Sequence, residues 1–152
     1  MDWFKIQAQL LQEYGELKKD NRAMKAPVTE HDDYVYASVN GRWFAIIPAN
    51  MWALKLPTIE KFDAYKKMLK SIEREDIQIV EVSDVTKKCK GFTAVQLSCN
   101  KFNCWVNKKY LSLFGRTSQL KLMTSNEIPM VYIYDAFKNE LIGCIGQIRF
   151  QK

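Results

Sequence analysis

Apolar residues recur at Trp3, Ile6, Leu10, Tyr14 and Leu17, the spacing of one helical face, and Asp2 stands where an N-cap carboxylate belongs. The pattern predicts a helix over residues 2–20, with Lys5, Gln12, Glu16 and Lys19 on a solvated face and Gly15 as its weak position. A polar connector containing Pro27 fills residues 21–33. Tyr34–Val39 and Trp43–Ile47 then flank Asn40-Gly41, which predicts a β-hairpin closed by a type I′ turn, because that turn needs positive φ at both central residues. Pro48 and Pro57 bracket an apolar stretch, Met51–Leu56, that reads as a strand or an irregular loop. Thr58 is placed to cap a helix running to about Glu75, with Phe62, Tyr65, Leu69 and Ile72 inward and Lys66, Lys67, Lys70 and Arg74 outward.

Beyond Ile77 the period shortens to that of strands. Candidates are Ile77–Val82, Phe92–Cys99, Phe102–Val106, Gln119–Thr124, Met130–Tyr134 and Leu141–Phe150, separated by turn residues. Asn107–Phe114 interrupts the series with the spacing of a short helix. The expected fold is α+β, an antiparallel-rich sheet with two longer helices and one short helix.

At 152 residues, 47% of them hydrophobic, the chain suits one domain with a sizeable core, over residues 1–152. Asp2, Lys5, Gln7, Gln9 and Gln12 break the apolar run a signal peptide needs, and no segment reaches the ~20 apolar residues of a membrane span. A cytoplasmic protein with no membrane partner is expected. Cys89, Cys99, Cys104 and Cys144 contain no CxxC pair and read as reduced core or strand thiols. His31 is the single histidine and the cysteines lack ligand spacing, so zinc is not expected, and the sequence calls for no other metal and no cofactor.

Formal net charge is +6, and its distribution sharpens the picture. From Val85 to Asn126 there is no Asp or Glu, while Lys87, Lys88, Lys90, Lys101, Lys108, Lys109, Arg116 and Lys121 supply eight positive charges. Phe92, Phe102, Trp105, Tyr110 and Phe114 interleave them. Lysine and arginine gain affinity for phosphates by releasing counterions, and exposed aromatic rings stack on unpaired bases. The same residues also fit a plainer reading, with the rings turned into the core and the lysines decorating solvent. Lys66, Lys67, Lys70 and Arg74 form an additional basic face on the same two readings. No glycine-rich phosphate loop is present, since Asn40-Gly41-Arg42 is a turn and Gly143-Cys144-Ile145-Gly146 lies in a strand pattern with no helix after it. Asp32-Asp33 and Glu75-Asp76 fall at element ends, where capping outweighs acid–base work. A binding protein, and not an enzyme, is expected.

Read from Phe102, the run Phe-Asn-Cys-Trp-Val-Asn-Lys-Lys-Tyr-Leu-Ser-Leu-Phe resembles the start of the second repeat of a sliding DNA clamp domain, where a short strand leads into a helix opening on Lys-Tyr-Leu. Gln119–Thr124, the proline-introduced strand Ile128–Ile133 and the closing strand Glu140–Arg149 keep the family's order, and Tyr34–Ile47 is similar to the hairpin after its first helix, here residues 3–19. The resemblance implies two β-α-β-β-β repeats, helices facing duplex DNA, contacts without base preference, and a tether for other proteins in place of catalysis. It runs mainly over residues 102–150. It departs in three places: no opening strand fits before a helix at residue 2, the 58–75 helix is extra, and Ile145-Gly146-Gln147-Ile148-Arg149 stands where bacterial clamps carry a proline-containing ending.

The leading expectation is therefore a clamp-like, sequence-nonspecific DNA partner, with self-association needed for any ring. The alternative is a protein-interaction module of phage or mobile-element origin that binds a peptide of a host or replication protein through an apolar groove or a sheet edge.

Overall fold

The computed structural model describes residues 1–21, 27–58 and 63–150, the side chains of residues 63 and 64 excepted. Helix α1 (Trp3–Lys19) begins as expected, with the Asp2 carboxylate accepting from the Lys5 N–H at 3.0 Å. Three strands follow, β1 (Val28–His31), β2 (Tyr34–Ala37) and β3 (Trp43–Pro48), then helix α2 (Asp63–Lys70). The remainder is β4 (Gln78–Cys89), β5 (Phe92–Ser98), β6 (Asn103–Asn107), helix α3 (Lys108–Leu113), β7 (Leu120–Thr124), β8 (Met130–Asp135) and β9 (Glu140–Gly146). Among the described residues nine strands join one sheet in the order β1-β2-β3-β9-β8-β7-β4-β5-β6, and every neighbouring pair is antiparallel. The protein is thus α+β, built on an antiparallel sheet.

Strand alternation sorts side chains to two covered faces. Val35, Ala37, Trp43, Ala45, Ile47, Val131, Ile133 and Ile145 meet Ile6 and Leu10 of α1 and Leu111 and Phe114 of the α3 segment in the main core. Tyr36, Ile46, Tyr132 and Cys144, on the other face, meet Tyr65 and Met68 of α2. Each fully buried aliphatic side chain contributes about 1.5–3 kcal/mol to this arrangement. The sheet also curls. After Gly146, whose N–H donates to the Arg42 carbonyl (2.7 Å), the chain leaves β3, and Ile148 bridges to Trp105 on β6 (2.8 Å), bringing the far end of the sheet back to β9.

Several local expectations are corrected. The β2–β3 hairpin exists, but only Gly41 has positive φ (+74°), and residues 38–42 form a longer loop. Asn40 is diverted, accepting from the Arg42 N–H (2.8 Å) and donating to Glu13 and Tyr110. A two-residue turn with positive φ at both positions occurs one hairpin earlier, at Asp32 (+47°) and Asp33 (+65°), and turns part of the presumed connector into β1.

Thr58 forms a parallel bridge with Val28, so no helix cap is seen there; residues 59–62, Phe62 among them, lie outside the described residues. The α-helical turns of α2 end at Lys70, where the Ser71 hydroxyl donates to the Lys67 carbonyl (3.4 Å), and a 3-10 turn, Ser71–Glu73, replaces the expected continuation. Met51–Leu56 is a loop, held by Gln7, which donates to the Met51 carbonyl (2.9 Å) and accepts from the Ala53 N–H (2.8 Å). β4 runs to Cys89, seven residues past its expected end, and β9 stops at Gly146.

Candidate nucleic-acid interface

The acid-free stretch begins on the distal half of β4. Only Gln78–Val80 pair with β7; from Thr86 onward β4 pairs with β5 alone, and the hairpin ends in a two-residue tip, Lys90–Gly91, with Gly91 at φ +86°. Cross-strand partners put Lys87 against Ala94, and Ala94 against Asn107, the residue before α3. With neighbouring strands ~4.8 Å apart, the backbones of Lys87 and Asn107 stand about 10 Å from each other.

Lys87, Lys88, Lys90, Lys108 and Lys109 therefore share one end of the molecule, and all five are exposed. Adjacent strand residues point to opposite faces, so Lys87 and Lys88 leave the hairpin on different sides and the five ammonium groups ring the end instead of tiling a flat patch. Among the described residues no carboxylate comes within ion-pair distance of any of them, the ion pairs being His31–Asp32 and Arg74–Asp76.

Two further features define the chemistry of this end. Lys108 and Lys109 occupy the first turn of α3, with no acidic residue beside them, where the helix dipole disfavours cations. Their placement opposes local helix stability. Lys87 lies over the Phe150 ring at 4.0 Å, and Phe150 packs edge-on against Trp105 (5.5 Å, 81°), so a half-buried aromatic pair floors the cationic rim.

The other three cations of the stretch are elsewhere. Lys101 lies in the β5–β6 turn, the opposite end of that hairpin, beside Ile77, Ile79 and Glu81. Arg116 follows α3 and lines a cleft with Asp2, Lys5 and Asp135. Lys121 sits on the α2 face, over the Tyr134 ring (5.0 Å) and against the Asn139 side-chain carbonyl. Lys66, Lys67 and Lys70 are exposed on α2. Arg74 is engaged by Asp76 through two bonds of 2.8 and 2.9 Å, and its guanidinium, with the Ser125 hydroxyl, holds the Asp76 carboxyl well below the usual carboxylate range.

The aromatic residues of the stretch divide as well. Phe114 is buried, edge-on to Trp43 (6.1 Å, 81°), while Phe92, Phe102, Trp105 and Tyr110 are half-buried. Tyr110 stacks on Trp43 (5.5 Å, 22°) and accepts from Asn40 at 3.0 Å; burial is the first cause raising its phenol pKa, the nearby Glu13 the second. Glu13 is itself buried and accepts from Trp43 Nε1 (3.0 Å), Asn40 Nδ2 (3.2 Å) and Gln9 Nε2 (3.0 Å). This network ties α1, the β2–β3 loop and α3 together and fixes the base from which Lys108 and Lys109 project.

Arg42, which the sequence did not single out, borders the same region. It helps line a cleft of about 450 Å³ with Phe92, Asn107, Tyr110, Met130 and Ile148, and a second of about 360 Å³ with Glu13, Glu16, Lys109 and Tyr110. Its one sequence signal is the position after a hairpin glycine.

All four cysteines are free thiols, Cys104 and Cys144 buried and Cys89 and Cys99 half-buried. Burial pushes the Cys104 thiol up to about 11 and raises Cys144 further. Among the described residues no group of three or more His, Cys, Asp or Glu side chains is placed to hold a metal ion, and no helix is long and apolar enough to cross a membrane. Comparison with protein-family models, with curated proteins and with solved structures yields no match to this chain.

Proposed function

We propose that this chain is a non-catalytic, cytoplasmic DNA-associated protein that grips phosphates without base preference. Lys87, Lys88, Lys90, Lys108 and Lys109 make the contacts, and Lys101, Arg116 and Lys121 lie outside them. The observation that carries the reading is the convergence of five exposed, acid-free cations at one end of the sheet, two of them kept where the local helix dipole opposes them. The clamp resemblance supports the same class of partner. From β6 the elements run strand, helix and three strands, and α1 is likewise followed by three strands, with α2 and the β4–β5 hairpin between the two runs.

The test compares charge reversals in fluorescence-anisotropy titrations against a labelled duplex. Lys108→Glu with Lys109→Glu should weaken binding at least tenfold and equally for unrelated sequences, whereas Lys101→Glu with Lys121→Glu should change it less than threefold. Equal losses from both pairs would reject the assigned surface.

A second reading rests on the cleft of about 450 Å³ between Arg42, Phe92, Tyr110 and Ile148, whose partly apolar lining suits a peptide side chain. It would make the chain a module of phage or mobile-element origin that captures a host or replication protein. Partner capture that survives nuclease and high salt and is lost in Phe92→Ala would favour it.

A further inference from the structure

We infer that α1 carries a self-complementary face on which a second copy of this chain docks in antiparallel orientation. Phe4 is 72% exposed and Leu11 51%, and Ala8 and Gly15 lie exposed with them. At 3.6 residues per turn these four positions fall within an arc of about 60°, on the side of the helix away from buried Ile6 and Leu10. The result is a continuous apolar stripe on an otherwise polar surface, unlike the single exposed apolar residues that any protein carries.

The order of sizes along the stripe selects the occupant. Large and small alternate as Phe4, Ala8, Leu11, Gly15. Under a two-fold axis perpendicular to the helix, crossing it between Ala8 and Leu11, Phe4 of one copy meets Gly15 of the other and Leu11 meets Ala8, so each bulky side chain finds a notch at every level. A parallel pairing in register would set Phe4 on Phe4 and Gly15 on Gly15. The antiparallel arrangement also opposes the two helix dipoles.

Gly15 supplies the independent observation. It lies inside a helix, where glycine weakens helix formation, and among the described residues nothing stands within 4 Å of where its Cβ would be, so no packing among them requires it. A notch for a partner's Phe4 accounts for a residue that the single chain does not need. The stripe offers on the order of 300 Å² per copy, well below half of a standard interface, which sets the expectation of a weak, reversible dimer with Kd on the order of 100 μM.

Sedimentation velocity on the full chain, from roughly 5 to roughly 500 μM so as to bracket that Kd, tests the inference. Association should rise with concentration and fall at least tenfold in both Leu11→Glu and Ala8→Lys, each checked for native circular dichroism. An equimolar mixture of the two variants should recover association to within about threefold of the unaltered chain, because Glu at position 11 then faces Lys at position 8 across the axis. A strict monomer throughout, a dimer indifferent to Leu11→Glu, or a mixture no better than either variant alone would each overturn the proposal. Phe4→Glu, at the most exposed position of the stripe, gives a second disruption that leaves the core untouched.

Discussion

Replacing Gly143 with alanine tests how tightly α3, and the lysines it carries, are locked to the sheet. Gly143 pairs with Ala45 on β3 and Ile133 on β8, in the middle of the sheet. A Cβ there would run into the Phe114 ring and come within 2.6 Å of the Phe44 carbonyl oxygen. Contacts that short cannot be absorbed by one small adjustment, since Phe114 is 1% exposed and wedged edge-on against Trp43, and the carbonyl belongs to β3. Overpacking costs typically run 1–3 kcal/mol, and a clash with both a locked ring and the backbone belongs at the top, about 3 kcal/mol. For a chain of this size that lowers Tm by about 6–12 °C. Urea unfolding followed by tryptophan fluorescence measures it directly. Phe114→Leu relieves the ring contact but not the carbonyl, so the double variant should be less destabilised than the sum of the singles by about 1 kcal/mol. A loss below about 0.5 kcal/mol for Gly143→Ala, or strict additivity, would refute the packing described for this position.

Glu13→Ala would strip an acceptor from the Trp43 indole, Asn40 and Gln9, leaving the buried indole N–H and two half-buried amides unmet; a loss of about 1–3 kcal/mol in urea unfolding is expected, and one under 0.5 kcal/mol would contradict the network. Gly15→Ala should instead stabilise the monomer by about 0.5–1 kcal/mol, read as a raised Tm at low protein concentration. Because burial raises the Cys104 thiol to about 11 and Cys144 higher still, the unfolded chain loses these protons first as pH rises. Stability should therefore be whole below an unfolded-thiol pKa of about 8.5 and decline as pH climbs toward 11, with a smaller decline in Cys104→Ala. Urea midpoints at several alkaline pH values, showing no decline, would oppose this.

Much of the architecture was legible because periodicity and punctuation agreed. Asp2 capping α1, the β2–β3 hairpin, the strand series after Ile77 and the short helix at Lys108 all follow from local spacing. What escaped depended on contacts between distant residues. Gln7 and Glu13 border the apolar arc of α1, where a wheel cannot decide between burial and exposure, and they are buried because the Met51–Ala53 loop and the Trp43 indole come to them. Asn40 was read as a turn former, and its recruitment by Glu13 and Tyr110 changed the turn. Val28–His31 is too short and too little alternating to stand out from the polar connector, so β1 was not read.

The candidate site shows the same boundary. Charge counting found the acid-free stretch, but which of its cations share a surface depends on strand pairing: Lys87 and Lys108 are far apart in sequence and near in the sheet, and Lys101 is carried to the opposite end. The size alternation of Phe4, Ala8, Leu11 and Gly15 was present in the sequence throughout. Its meaning depends on Phe4 and Leu11 being left uncovered, which only the packing of the whole fold reveals.

The salt dependence of duplex DNA binding tests the central claim most directly. If the five clustered lysines each neutralise one phosphate, the logarithm of the binding constant should fall against that of salt concentration with a slope of about −4 to −5, a loss of several hundredfold between roughly 50 and 200 mM salt. Lys108→Ala with Lys109→Ala should flatten the slope by about two. Undetectable binding at low salt, or binding with a slope near zero, would contradict the account.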